Sequence, residues 1–140
     1  MNKITIALVL SSIIAAALLG GCAAKPEITY VTGEESELVA EAVEPVAENI
    51  LSGIETNDYD LFVTNFDETM RKAITPDAFS KIAKQIGKHG TAQSLDLLNI
   101  EDQGDYYGVN YGVNYTDAKV ILRIVVAKAT PDLVSGLWFK

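Results

Sequence analysis

The first regularity along the chain is an apolar run from Ile4 to Leu19, interrupted by Thr5, Ser11 and Ser12 and preceded by one positive charge, Lys3. As a helix that run would span about 24 Å, short of the roughly 30 Å of a bilayer's hydrocarbon core. Such a run behind a basic start and ahead of small residues predicts a signal peptide over residues 1–21. Residues 22–35 then lack helical periodicity and carry Pro26 and Gly33, which predicts a flexible tether. From Ser36 the pattern changes. Leu38, Val39, Ala42, Val43, Val46, Ala47, Ile50, Leu51 and Ile54 recur at three- and four-residue spacing, with Glu37, Glu41, Glu44, Glu48 and Glu55 between them. This predicts an amphipathic helix to about Glu55, with Pro45 kinking it or opening a second segment. Asn57 is placed to end it in the left-handed conformation, and Asp58 to cap the next helix. Residues Tyr59 to Ile74 predict one helix or two short turns. Thr75-Pro76-Asp77 starts a third helix running to about Lys88.

After Gly90 the period becomes two. Gln93–Glu101, Asp105–Tyr115, Ala118–Ala127 and Leu133–Phe139 predict strands, separated by Asp102-Gln103-Gly104, Thr116-Asp117 and Thr130-Pro131-Asp132. Short connections make the sheet an antiparallel meander. The expected architecture is α+β: about three N-terminal helices on one face of a four-stranded antiparallel sheet, in one domain over residues 36–140. Leu137 and Phe139 are expected to pack on the helices through Ile50, Ile54, Phe62, Phe66, Phe79 and Ile82. In the third strand Val120, Leu122, Ile124 and Val126 should face inward.

Charge narrows the function classes. The 140 residues hold 11 Lys and Arg against 19 Asp and Glu, a net −8. A mean hydropathy of +0.17 averages an almost uncharged N-terminus with a strongly acidic remainder. With no basic stretch to displace counterions, nucleic acid is not an expected partner. The same sign opposes electrostatic docking on anionic lipid. One Cys rules out an intrachain disulfide, and one Cys with one His rules out a zinc-finger ligand set.

That Cys has its own explanation. Leu19-Gly20-Gly21-Cys22 resembles the lipobox of prokaryotic lipoproteins. The resemblance implies diacylglyceryl transfer to the Cys22 thiol, cleavage before it, and anchoring through acyl chains on the extracytoplasmic face of a bacterial or archaeal membrane. An uncleaved transmembrane anchor is the alternative reading.

Candidate catalytic chemistry is sparse. Asn57-Asp58-Tyr59-Asp60 pairs two carboxylates, but a calcium loop needs about six oxygen ligands and a Gly at the bend; capping accounts for Asp58, and no metal is expected. His89 is expected at a helix C-terminus, where a positive imidazole meets the negative end of the helix dipole, with a catalytic role as the alternative. No Ser-His-Asp set, nucleophile elbow or Gly-rich phosphate loop can be assembled, so no catalytic residue and no cofactor are assigned. The most unusual run is Tyr107-Gly-Val-Asn-Tyr111-Gly-Val-Asn-Tyr115. A repeat of four within a strand keeps Tyr107, Tyr111 and Tyr115 on one face, either as core or lining a cavity. On the opposite face, Ile121, Val125 and Trp138 make a patch with Arg123 as the only polar outward residue of its strand. Trp138 is placed to lie across Gly108 and Gly112. Large uncovered apolar patches mark interaction sites, so the expected cover is a second copy, sheet to sheet, or another envelope protein. The alternative is that residues 25–35 fold back over the patch through Ile28, Tyr30 and Val31.

Asn57-Asp58-Tyr59-Asp60-Leu61-Phe62, Asn65-Phe66-Asp67, Thr75-Pro76-Asp77-Ala78-Phe79 and Gly136-Leu137-Trp138-Phe139, in a helices-then-strands order, resemble a domain family of unknown function. That family lies within the nuclear-transport-factor-two-like superfamily of cone-shaped α+β domains and is found in envelope lipoproteins and beside hydrolase domains. The resemblance covers about residues 36–140. It implies a cone-like fold and either a non-catalytic binding or interaction module, or an isomerase- or lyase-like enzyme using Tyr and a carboxylate. The strand acids Asp96 and Asp105 lie near ends or turns, and neither takes over the base position.

Overall fold

The computed structural model describes residues 27–140. Cys22, the apolar run, the whole expected signal peptide and the first five residues of the expected tether lie outside the described residues. Within those residues nine elements run in order: β1 (Thr29–Tyr30), α1 (Glu34–Thr56), α2 (Tyr59–Phe62), α3 (Glu68–Ala73), α4 (Pro76–Gly87), β2 (Ala92–Asp102), β3 (Tyr106–Tyr115), β4 (Lys119–Ala127) and β5 (Thr130–Phe139). The fold is α+β, with an open antiparallel sheet in the order β1-β2-β3-β4-β5.

Two differences from the expectation are physical. The sheet has a fifth strand because Thr29 and Tyr30 pair with Asp102 and Glu101 at the far end of β2. Two residues are too short to show a period, so nothing in the local pattern marks them. The stretch read as tether up to residue 35 therefore supplies both β1 and the first two residues of α1. Second, the helix count is four rather than about three, because Tyr59 to Ile74 takes the second of its two readings, two short turns: Asp67 caps the later one, its side chain accepting from the Met70 N–H at 2.8 Å.

α1 is one continuous 23-residue helix. Pro45 lies within it on an exposed side, where water can satisfy the carbonyl of Glu41 that loses its helical partner. Its buried stripe is Val39, Val43, Val46, Ala47, Ile50, Leu51 and Ile54, whereas Leu38, at 61% exposure, falls outside it. The helix ends as the chain chemistry dictates. Asn57 is left-handed at φ 53°, the Asp58 N–H donates to the Gly53 carbonyl at 2.8 Å, and the Asp58 side chain accepts from Leu61 N–H. Thr75 caps α4, with Pro76 in its first turn.

α1 runs antiparallel to β2 across the inner face. At its start Tyr107 donates its hydroxyl proton to Glu35; near its end the Glu55 carboxylate accepts from Ala92 N–H. Twenty helical residues and ten strand residues both span about 30 Å, so helix and strand match in length. Between them lies a core that includes Phe62, Phe66, Phe79, Val109, Tyr111, Leu122, Ile124 and Val134, each at most 2% exposed. Val120, Leu122, Ile124 and Val126 face inward as the alternation requires, and partly buried Leu137 and Phe139 pack against the same core.

Candidate functional site

The tyrosines come first, since an enzyme would need them. Tyr107, Tyr111 and Tyr115 all face inward under α1 and are buried, at 8%, 2% and 7% exposure. The Tyr107 hydroxyl donates to Glu35 at 2.6 Å; that bond to a carboxylate, with burial second, pushes its pKa up to about 12. Burial, then the charge of Glu55, raises Tyr115 to about 12. The Tyr111 hydroxyl has no hydrogen-bond partner among the described residues. Burial raises it further, helped by Glu44 and Glu48. All three stay protonated and neutral, so none serves as a base. Tyr115 alone borders a surface opening of about 390 Å³, together with Ile54, Glu55, Ile86 and Thr91. His89 lies near it, ring centroids 6.1 Å apart. Among the described residues no three His, Cys, Asp or Glu side chains cluster as a metal set, and no helix is long and apolar enough to cross a membrane.

The outer face of the sheet holds the chemistry that sequence reasoning missed. Arg123 on β4 reaches over β3 to Glu101 on β2, donating through both terminal nitrogens at 2.9 and 2.7 Å. It also donates to the Asn110 Oδ1 at 2.9 Å, while Asn110 Nδ2 donates to Asn99 and Glu101 at 2.7 and 3.0 Å. Such a span needs a gap in the side-chain layer, and Gly108 supplies it: a Cβ there would sit 2.6 Å from a guanidinium nitrogen. The Gly-Val-Asn-Tyr repeat thus serves both faces, tyrosines inward and an alternating Gly/Asn row outward. A lower row repeats the theme, Asn114 donating to Ser94 and Asp96 at 2.7 and 2.9 Å and the Lys119 stem lying over Gly112. The available signal was Asn alternating with Gly inside a strand that is otherwise apolar.

Arg123 holds the Glu101 carboxyl below its ordinary value of 4.5, chiefly by its hydrogen bonds. The pair is partly buried, with side chains 14% and 16% exposed. A carboxylate with a depressed folded pKa adds stability that is fully present above its unfolded pKa and is lost as pH falls through the folded one. Urea midpoints should therefore drop as pH falls below about 4.5, the ordinary carboxylate value. Glu101→Gln should remove part of that slope; an unchanged slope would show that the pair carries no linkage. Asp102, held low by Lys128 and the Gly104 N–H, contributes in the same direction.

Ile121, Val125 and Trp138 all lie on this outer face, since they share register rows with Gly112, Gly108 and Arg123. Trp138 does not lie across Gly108 and Gly112, as expected from the sequence. It folds over Gly136 in its own strand, where a Cβ would meet the indole at 2.6 Å; Arg123 and Lys119 already occupy the space over the other two glycines. Residues 27–31 do not fold back over the patch either. β1 joins the sheet edge and adds Tyr30, and by alternation Ile28, to the same face.

A second feature borders β5. Ile74, Ile82, Gln85 and Ile86 on the helical side and Leu137 to Phe139 on the strand line an open groove of about 240 Å³.

Comparison with curated proteins and with solved structures gives no match. One family model does match, over residues 47–130, from the middle of α1 to the first residue of β5. That span includes the three tyrosines and the whole Arg123–Glu101–Asn110 network, and leaves out β1 and nearly all of β5. It covers more than half of the chain, which therefore belongs to the family described as protein of unknown function DUF3887.

Proposed function

We propose that this protein is an envelope lipoprotein, anchored through lipid on Cys22, whose cone-like domain is a non-catalytic interaction module working through the outer face of its sheet. One observation carries the interaction reading. Of eight large hydrophobic side chains exposed among the described residues, six lie on that face: Ile28, Tyr30, Leu98, Tyr106, Ile121 and Trp138. Charge supports it. α1 carries seven glutamates and no basic residue, whereas Asp96, Glu101, Lys119 and Arg123 on the outer face cancel. Two copies of an acidic chain repel each other least through such a face, and the proposed partner is a second copy, packed sheet to sheet. The four long strands, at about 4.8 Å spacing and roughly 30 Å long, give a footprint on the order of 600 Å², close to the ~800 Å² per partner of a standard interface. Tyrosines packed in the interior, with the Tyr107 hydroxyl engaged by Glu35 and Tyr111 enclosed, support a binding role over an isomerase-like one. The lipobox at Leu19–Cys22 supports the anchor and an extracytoplasmic location.

Two measurements test these parts separately. Protein beginning at Ala23 should sediment as a dimer at tens of micromolar, and Val125→Glu and Ile121→Lys should each make it monomeric with an unchanged circular dichroism spectrum. A wild-type monomer at that concentration removes the proposed partner. Cys22→Ser should accumulate as an uncleaved precursor. Membrane-bound wild type that retains Met1 would rule out the lipoprotein reading.

A further inference from the structure

β5 closes one side of the sheet, and its outer edge is only partly covered. Lys140 exchanges both backbone hydrogen bonds with Ile121, and Trp138 faces Arg123 two residues earlier in the ladder. In antiparallel alternation the N–H and C=O groups of Leu137 and Phe139 therefore point away from β4. Val134 also points outward, but the chain itself serves it: its N–H donates to the Asn65 carbonyl at 2.7 Å, and its carbonyl accepts from Asp67 N–H at 3.0 Å. Leu137 and Phe139 have no such backbone partner among the described residues. The groove of about 240 Å³ lies directly beside them, with Ile74, Ile82 and Ile86 forming its apolar wall.

The charge around this groove is opposite to that of the rest of the molecule. Residues 70–90 contain Arg71, Lys72, Lys81, Lys84 and Lys88 against Asp77 alone. Arg71 is engaged with the carbonyls of Phe66 and Thr64, and Lys72 with Glu68. Lys81, Lys84 and Lys88 are exposed and form no ion pair among the described residues. At 100° per residue, Lys81 and Lys88 lie about 40° and 60° round the helix from Gln85, on the side away from Ile82. They flank Gln85 of the groove lining, with Asp77 on the same side about 80° round, so two lysines stand there against one carboxylate.

We propose that this edge receives an extended acidic strand from a partner protein. The strand pairs its backbone with Leu137 and Phe139, places two apolar side chains into the groove, and sets carboxylates on that same face, next along the strand, against Lys81 and Lys88. Backbone pairing supplies affinity, and the apolar groove with its flanking lysines supplies selectivity.

The test uses the full-length chain in detergent micelles, isotope-labelled and titrated with a capped heptapeptide carrying glutamate at positions 1 and 7, valine at positions 3 and 5 and serine between them. Saturable shifts are expected at the amides of Leu137 to Phe139 and at the Trp138 indole. Reversing both flanking charges, K81E with K88E, should weaken binding roughly tenfold, two screened attractions having become repulsions. The same peptide N-methylated on the alternate amides that face β5 should lose saturable binding. The proposal is overturned by absence of saturation at millimolar peptide, by equal binding of the N-methylated peptide, or by equal binding of a peptide with lysine in place of glutamate. None of these variants touches the outer face, so the dimer measurement succeeds or fails independently.

Discussion

Phe66→Ala is expected to lower the unfolding free energy by about 3–5 kcal/mol, the usual range for emptying a buried aromatic site. Phe66 is 2% exposed and stands edge-on to Phe62, ring centroids 5.1 Å apart; Phe62 in turn contacts Phe79 at 4.8 Å. These rings join α2 and α4 to the sheet. The backbone beside Phe66 is fixed as well, by the Asn65 and Asp67 bonds to Val134, so the site can collapse little around a cavity. For a domain of this size, with total stability near 5–15 kcal/mol, the melting temperature should fall by about 15–25 °C. Leu38→Ala is the internal control. Leu38 sits in the apolar pattern of α1 but is 61% exposed, and its loss should change stability by less than about 0.5 kcal/mol. Equal effects at the two positions would show that the helix faces are misassigned.

Gly53→Ala is the second large effect, and its sign separates local from tertiary reasoning. Within a helix, replacing Gly with Ala stabilises by about 1 kcal/mol, because the glycine backbone loses more freedom on folding. Gly53 lies inside α1 where α2 crosses it, and a Cβ there would stand 2.6 Å from the Phe62 backbone nitrogen and 2.7 Å from its Cα. Backbone cannot swing aside as a side-chain tip can. α2 must shift, and Phe62 with it. Overpacking of this kind costs about 1–3 kcal/mol, enough to outweigh the helical gain. Chemical denaturation should show a net loss, greatest for Gly53→Val; a stabilised Gly53→Ala variant would mean that α2 moves freely on α1. Gly108→Ala makes a useful contrast, since the atom it meets is the far end of Arg123. The guanidinium can retreat, so the Glu101 contact weakens while the fold stays in place.

Much of the architecture was legible because its causes are local. Asn57, Asp58 and the Thr75-Pro76 pair mark helix ends through their own backbone preferences, and the structure places them at those ends. The change of period after Gly90 marks the sheet, and alternation alone assigned Val120, Leu122, Ile124 and Val126 to the core. Where the local signal was too short, the reading failed. β1 has only two residues, whereas the two short turns allowed for Tyr59 to Ile74 are what forms, as α2 and α3. The DUF3887 match over residues 47–130 includes three of the four short motifs that carried the resemblance to a domain family of unknown function.

The amino-acid pattern by itself determined the α+β class, the helix boundaries near caps, the inward faces of β3, β4 and the end of β5, and the strong acidity of α1. These follow from periods of 3.6 and 2 and from side chains acting on their own backbone. Only the tertiary structure decided whether Tyr107, Tyr111 and Tyr115 surround a space or fill one, because that depends on how closely α1 approaches the sheet. It alone joined Arg123, Asn110 and Glu101, which lie on three strands and meet only when two registers are set and Gly108 falls beneath the guanidinium. The uncovered edge of β5 has the same origin. A hydrogen-bonding group is unpaired only relative to its neighbours in space, and those neighbours are chosen when the whole chain packs.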